Sequence, residues 1–183
     1  ALIFGFFAFR SRIKGVYFAI ISQALALAMW LLFLRNETML GGTNGLTDFK
    51  TLLGFELADP GTKRGLYIAA CTALLGAYYL CRYMVDSKLG KLLVAIRDGE
   101  HRLRFIGYRI TRYKLFVFVV ASALAGLGGM LYVPQTGIIT PGRMDVQASI
   151  EIVVWTAVGG RGTLVGAIVG AVLVNLLYSF LTG

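Results

Sequence analysis

The chain has 183 residues, 57% hydrophobic and only 15% charged, with a mean hydropathy of +0.75. Soluble domains carry about 45–50% apolar and about 25% charged residues, so this composition excludes a soluble globular enzyme and a disordered chain and points to an all-α, polytopic membrane protein. A net charge of +9 would suggest nucleic acid for a soluble protein, but here the charges lie between apolar runs, where basic residues mark the cytoplasmic face, so nucleic acid is not an expected partner.

Ala1–Phe9 is apolar throughout and reads as one end of a membrane-embedded segment. No basic region precedes it and no small-residue cleavage site follows, so it is not a signal peptide. The apolar run Leu176–Gly183 breaks off similarly, and residues 1–183 read as a single, incomplete transmembrane domain of a longer protein. After Arg10, Arg12 and Lys14 comes Gly15–Leu34, twenty residues without a charge. As a helix it covers about 30 Å, the thickness of a hydrocarbon core. Residues 35–65 hold four basic and four acidic side chains and form the next connection. Leu66–Val85 is the second full span, with Arg82 near enough to its end to snorkel. Cys71 and Cys81 lie ten residues apart within it, a spacing that fits neither a redox pair nor a zinc site, and they are expected to be reduced and buried.

Residues 86–114 carry eight basic and three acidic side chains. Leu89, Leu92, Leu93 and Ile96 follow the stripe of an amphipathic helix, Asp98-Gly99 breaks it, and Leu103, Ile106, Gly107 and Ile110 form a second short stripe. The pattern predicts two short helices with a hinge. It suits a basic loop lying on anionic lipid, and equally a docking element for a cytoplasmic partner. Leu115–Val133 is the third span. The last apolar region, Ile150–Leu181, is interrupted at Gly159-Gly160-Arg161-Gly162 and divides into a short helix and a span over Thr163–Leu181. The total is about five membrane-embedded segments, including one broken helix. The positive-inside rule places residues 10–14 and 86–114 in the cytoplasm and residues 35–65 and 134–149 outside.

Four stretches resemble the ABC-transporter permeases of the branched-chain amino-acid and urea family. They are Gly90–Glu100 continuing to Tyr108, Gly41–Leu46, Ser122–Gly129, and Ser149-Ile150-Glu151 through Gly159–Thr163. They occur in that family's order and cover nearly the whole chain. Within the family, Gly15–Leu27 with Arg35-Asn36-Glu37 and Leu46–Phe49 is most similar to the urea permease subunits, as is Arg161 where amino-acid members commonly carry an apolar residue.

The resemblance implies a permease subunit translocating urea across the inner membrane. A branched-chain amino-acid permease is the alternative, and a passive small-solute channel the second alternative. It implies a second homologous permease subunit, two ABC ATPase subunits, an external solute-binding protein and membrane lipid as partners. ATP would be used by the ATPase chain and no cofactor bound by this one: the chain has no phosphate-cradling GxxxxGK[ST] sequence and no catalytic constellation, and the single His101 lies in the basic loop. Residues 86–114 would be the cytoplasmic coupling loop, with Arg97, Asp98, Gly99, Glu100, Arg102, Leu103, Arg104, Ile106 and Gly107 engaging the ATPase.

Candidates for the solute pathway are Gln23, Thr43, Asn44 and Glu151. Gln23 interrupts an apolar span, and its amide could pair with an uncharged amide solute or simply with a neighbouring helix. Thr43 and Asn44 sit in a glycine-rich turn that could line the path or be an ordinary external turn. Glu151 would either accept N–H bonds from the solute or cap the short helix at its N-terminus. Gly126 and Gly129, and Gly162, Gly166 and Gly170, recur at spacings that let helices approach closely and read as packing. Asn175 is expected to pair across helices. The chain shows no metal-ligand spacing.

Overall fold

The computed structural model describes residues 1–11, 13, 15–34, 51–52, 55–56 and 59–182. The glycine-rich turn with Thr43 and Asn44, the Arg35–Phe49 stretch, Arg12 and Lys14 lie outside the described residues.

The elements in order are α1 (Leu2–Arg10), α2 (Val16–Leu34), β1 (Thr51–Leu52), β2 (Phe55–Glu56), α3 (Pro60–Asp86), α4 (Lys88–Phe105), α5 (Ile110–Thr136), a 3-10 turn at Pro141–Met144, α6 (Val146–Gly159) and α7 (Leu164–Thr182). The strands form a minimal antiparallel pair with Thr51 opposite Glu56. Among the described residues, four helices are long and apolar enough to cross a bilayer: Val16–Leu34, Pro60–Asp86, Ile110–Thr136 and Leu164–Leu181. α6 is apolar too, but its 14 residues cover only about 21 Å. The chain is therefore a polytopic helical membrane protein. Its apolar side chains stay exposed because lipid, not a protein core, is their solvent. Cys71 illustrates this: both cysteines are free, but Cys71 is exposed on α3 rather than buried.

The chain divides into two compact units, residues 1–22 with 47–138 and residues 23–46 with 139–183. In the first, α1 lies antiparallel against the start of α5: Gly5 passes Leu115 and Phe118, while Arg10 lies beside Ile110 and Thr111. Phe4, Phe9, Phe18 and Phe118 form one aromatic cluster, with ring centroids 5.4 to 6.3 Å apart. Such tilted and stacked ring pairs add about 0.5–1.5 kcal/mol each beyond their buried area. α3 passes into α4 through one residue, Ser87, whose Oγ donates to the Met84 carbonyl at 2.7 Å and accepts from the Leu89 N–H at 3.2 Å. That cap ends one helix and starts the next with no loop between them.

In the second unit α6 and α7 form a tight antiparallel pair, because Gly159 meets Gly166 and Trp155 meets Gly170. The break foreseen at residues 159–162 is thus a reversal of direction. Gly160 and Gly162 have φ of +106° and +91°, a region closed to most side chains, and this turns the chain within three residues.

Candidate functional site

The hinge foreseen at Asp98-Gly99 is present. α4 is helical on both sides of Gly99, whose φ of −161° and ψ of 65° kink it there. The second short helix is present but is shorter than the Leu103–Ile110 stripe implies, running only from the kink at Gly99 to Phe105. α4 ends at Phe105, Ile106–Arg109 is a turn, and Ile110 opens α5, five residues earlier than the apolar run suggests. Gly107 explains this: at φ +94° it leaves the helical region and redirects the chain. The result is an elbow in which Phe105 is 91% and Ile106 72% exposed. Two large apolar side chains thus project from a segment rich in arginine.

An ion-pair cluster fixes the elbow to the following span. Glu100 Oε1 accepts from Arg104 Nη2 at 2.9 Å, one helical turn on, and Glu100 Oε2 accepts from Lys114 Nζ at 3.0 Å, across the elbow on α5. The Glu100 side chain is only 14% exposed and that of Lys114 28%. Charge-assisted bonds shielded in this way are stronger than surface pairs. Arg97 instead pairs with its neighbour Asp98 at 3.0 Å in an exposed setting, a contact of little energetic weight. Arg102 and His101 are exposed, Leu103 is half-buried, and Ile96 is buried. Six of the nine expected coupling residues therefore fall into three groups: Glu100 and Arg104 bind the segment internally, Gly99 and Gly107 shape it, and Arg102 and Ile106 face outward. Lys114 was missed from sequence because it stands 14 residues from Glu100, beyond any helical periodicity.

Two open grooves flank the elbow. One, of 480 Å³, is framed by Phe6, Arg10, Arg104, Arg109, Ile110 and Arg112. The other, of 930 Å³, runs along Leu89, Ile106, Tyr108, Tyr113 and Phe116 and shares Arg109 and Arg112 with the first. Gln23 and Glu151 line neither. Gln23 is half-buried on α2. Glu151 is exposed and is the sixth residue of α6, so it does not cap that helix. The cap is Asp145, whose Oδ1 accepts from the Val146 N–H at 2.6 Å. Asn175 does not reach another helix: its Nδ2 donates to the Ala171 carbonyl on its own α7 at 2.7 Å.

The small-residue positions also separate. A Cβ on Gly166 would strike the Gly159 carbonyl oxygen, and one on Gly170 the Trp155 carbonyl oxygen, so both hold α7 against α6 at backbone contact. Gly159 is their counterpart, read from sequence only as part of the break and not as a packing position. Gly126, Gly129 and Gly162 have open space where a Cβ would stand. Gly162 serves the turn rather than the helix seam.

The whole chain, residues 1–183, matches the family model described as the branched-chain amino acid transport system permease component, and the chain belongs to that family. It is 26% identical over 184 residues to the high-affinity branched-chain amino acid transport system permease protein LivM of Salmonella typhimurium, an alignment covering 88% of this chain and 43% of the relative. LivM of Escherichia coli is 24% identical with the same coverage. The ribose import permease protein RbsC of Bacillus subtilis is 24% identical over 139 residues, covering 73% of this chain and 43% of the relative. The chain thus spans less than half the length of these curated relatives. No solved structure matches. With four candidate spans among the described residues, the chain is a multi-pass, inner-membrane member of that family.

Proposed function

We propose that the chain is the membrane-spanning part of an ATP-driven importer, and that the elbow between α4 and α5 is where a separate ATPase pair engages it. The elbow carries this reading. Phe105 and Ile106 present apolar surface beyond the end of a span, and the Glu100–Lys114 pair ties that surface to α5. A force on the elbow is then a force on a 27-residue span. ATP-driven closure of the ATPases would shift the permease between outward-open and inward-open populations, and the energy for this is the difference in ATPase affinity for the two states. The positive-inside rule puts the elbow in the cytoplasm. A second permease subunit and an external solute-binding protein complete the assembly in this reading.

For the solute, the two LivM relatives support a branched-chain amino acid ahead of urea. The urea assignment rests on resemblance over residues 15–49, and nothing in the comparisons adds to it. The ribose permease among the relatives indicates that similar scaffolds serve different solute classes. Solute choice therefore belongs to a few pathway side chains, among which Gln23 and Glu151 are the described candidates.

The test is uptake in cells lacking the full-length parent gene, with labelled leucine and labelled urea, before and after ATP depletion. Loss of ATP-dependent leucine uptake alone supports the amino-acid reading. Loss of urea uptake alone transfers the assignment to urea. Uptake that needs the gene but survives ATP depletion would replace the importer by a passive channel.

A further inference from the structure

We propose that the 480 Å³ groove in the first unit is a binding site for the phosphate headgroup of one anionic phospholipid, held by Arg10, Arg109 and Arg112, with Arg104 at its edge. The site does not depend on the solute assignment, and it borders the elbow proposed for ATPase docking through Arg104 and Arg109.

The arginines come from separate parts of the chain. Arg10 ends α1, Arg104 lies in the last turn of α4, Arg109 precedes α5 and Arg112 lies in its first turn. The antiparallel packing of α1 on α5 brings the close of one helix to the opening of the other. Among the described residues, neither Arg10, Arg109 nor Arg112 has a carboxylate partner. Arg104 takes one oxygen of Glu100, whose other oxygen is given to Lys114. Cations brought together with so little countercharge repel one another, and an anion in the groove would relieve the repulsion. Guanidinium forks suit a phosphodiester, which accepts paired N–H bonds.

Two features select a lipid over a free anion. The groove opens where apolar helices end, at the level of the headgroups, and Phe6 and Ile110 form its inner wall. The Arg10 guanidinium is already seated over the Phe6 ring, 5.6 Å from its centroid. Further along α1, Ile3 and Phe7 are exposed and would meet an acyl chain. Phosphate above and hydrocarbon below is the arrangement of one lipid molecule. Each basic side chain near an anionic headgroup multiplies binding about fivefold, so three together are worth a factor of about a hundred.

The experiment uses the assembled full-length transporter, delipidated and then offered phosphatidylglycerol or phosphatidylcholine in detergent, with bound lipid counted by native mass spectrometry. Wild type is expected to retain one phosphatidylglycerol and to lose phosphatidylcholine. The R10Q/R109Q/R112Q variant is expected to retain phosphatidylglycerol about a hundredfold more weakly. A photoreactive phosphatidylglycerol analogue on the wild-type complex is expected to label peptides containing Arg10 and Arg109–Arg112, which tests the site without any variant. Equal retention of both lipids, equal retention by wild type and variant, or labelling confined to other peptides overturns the proposal. So does displacement of the lipid by inorganic phosphate at equal concentration, which would make the groove a free-anion site. Loss of the ATPase from the variant with lipid retention unchanged would also overturn it, making the groove a protein-docking surface.

Discussion

Glu100 and Lys114 meet at 3.0 Å across the α4–α5 elbow, and the same carboxylate holds Arg104 at 2.9 Å. One acid thus joins the outward-facing segment to the base of a membrane span. Replacing Lys114 by Ala removes the Glu100 bond across the elbow while its bond to Arg104 stays, and replacing Glu100 by Ala leaves two cations facing each other. Each variant is expected to insert normally, to reduce uptake about tenfold and to keep most ATP hydrolysis. The swapped pair E100K/K114E is expected to recover part of the loss, with a coupling of about 1 kcal/mol in the double-mutant cycle. Strict additivity of the two single effects would show that the ion pair transmits nothing.

Gly99 sits at φ −161°, far from the φ of about −65° that proline imposes. Gly99→Pro is therefore expected to re-aim the second half of α4 and to uncouple hydrolysis from uptake while the subunit stays in the membrane. Arg102→Glu is expected to do the same through charge alone, because Arg102 is exposed and outside every described ion pair. Arg104→Glu is a poorer probe, since it also breaks the bond to Glu100. Wild-type uptake by both G99P and R102E would remove the docking role from this segment.

The glycines of the α6–α7 seam should separate sharply from those of α5. A Cβ at Gly170 would enter the Trp155 carbonyl oxygen and the Gly159 backbone, so Gly170→Ala is expected to cost about 1–3 kcal/mol and to lower the melting temperature in detergent. Gly166→Ala should behave alike. Gly126→Ala and Gly129→Ala meet nothing within this chain and are expected to change its stability by less than about 0.5 kcal/mol. Similar melting curves for G170A and G126A would mean that the backbones in the seam are not in contact.

The antiparallel α6–α7 pair returns the chain to the face from which it came. The positive-inside rule places residues 134–149 outside, and Arg161 follows one helix later, in the reversal. In a background with Cys71 and Cys81 replaced, a cysteine at 161 is expected to react with an impermeant maleimide only from the cytoplasm, and one at 142 only from outside. Labelling of 161 from outside would mean that α6 does not cross.

The positions of the four long helices were legible in the sequence because hydrocarbon thickness sets a local length requirement that each apolar run meets alone. Their ends were less legible. α5 begins at Ile110, before Arg112 and Lys114, because helix geometry continues through charged residues that sit at the interface. α3 extends back to Pro60 for the same reason, with proline at its first helical position. Of the candidate site, the hinge at Gly99 was legible from a broken stripe. The elbow at Gly107 was not, because Leu103, Gly107 and Ile110 keep a helical spacing across residues that are not helical.

The sequence by itself determined the class of the protein, its basic segment and the place where the last apolar region breaks. Each is local: an apolar length, a charge count, a pair of glycines. Only the tertiary structure decided that Glu100 reaches Lys114, that Gly166 and Gly170 rather than Gly126 and Gly129 meet another backbone, that the break is a reversal, and that Arg10 shares a groove with Arg109 and Arg112. These relationships depend on how one helix lies against another. In a membrane every helix face is apolar enough to be a candidate, so close backbone approach and ion pairing, rather than hydrophobicity, choose the partners.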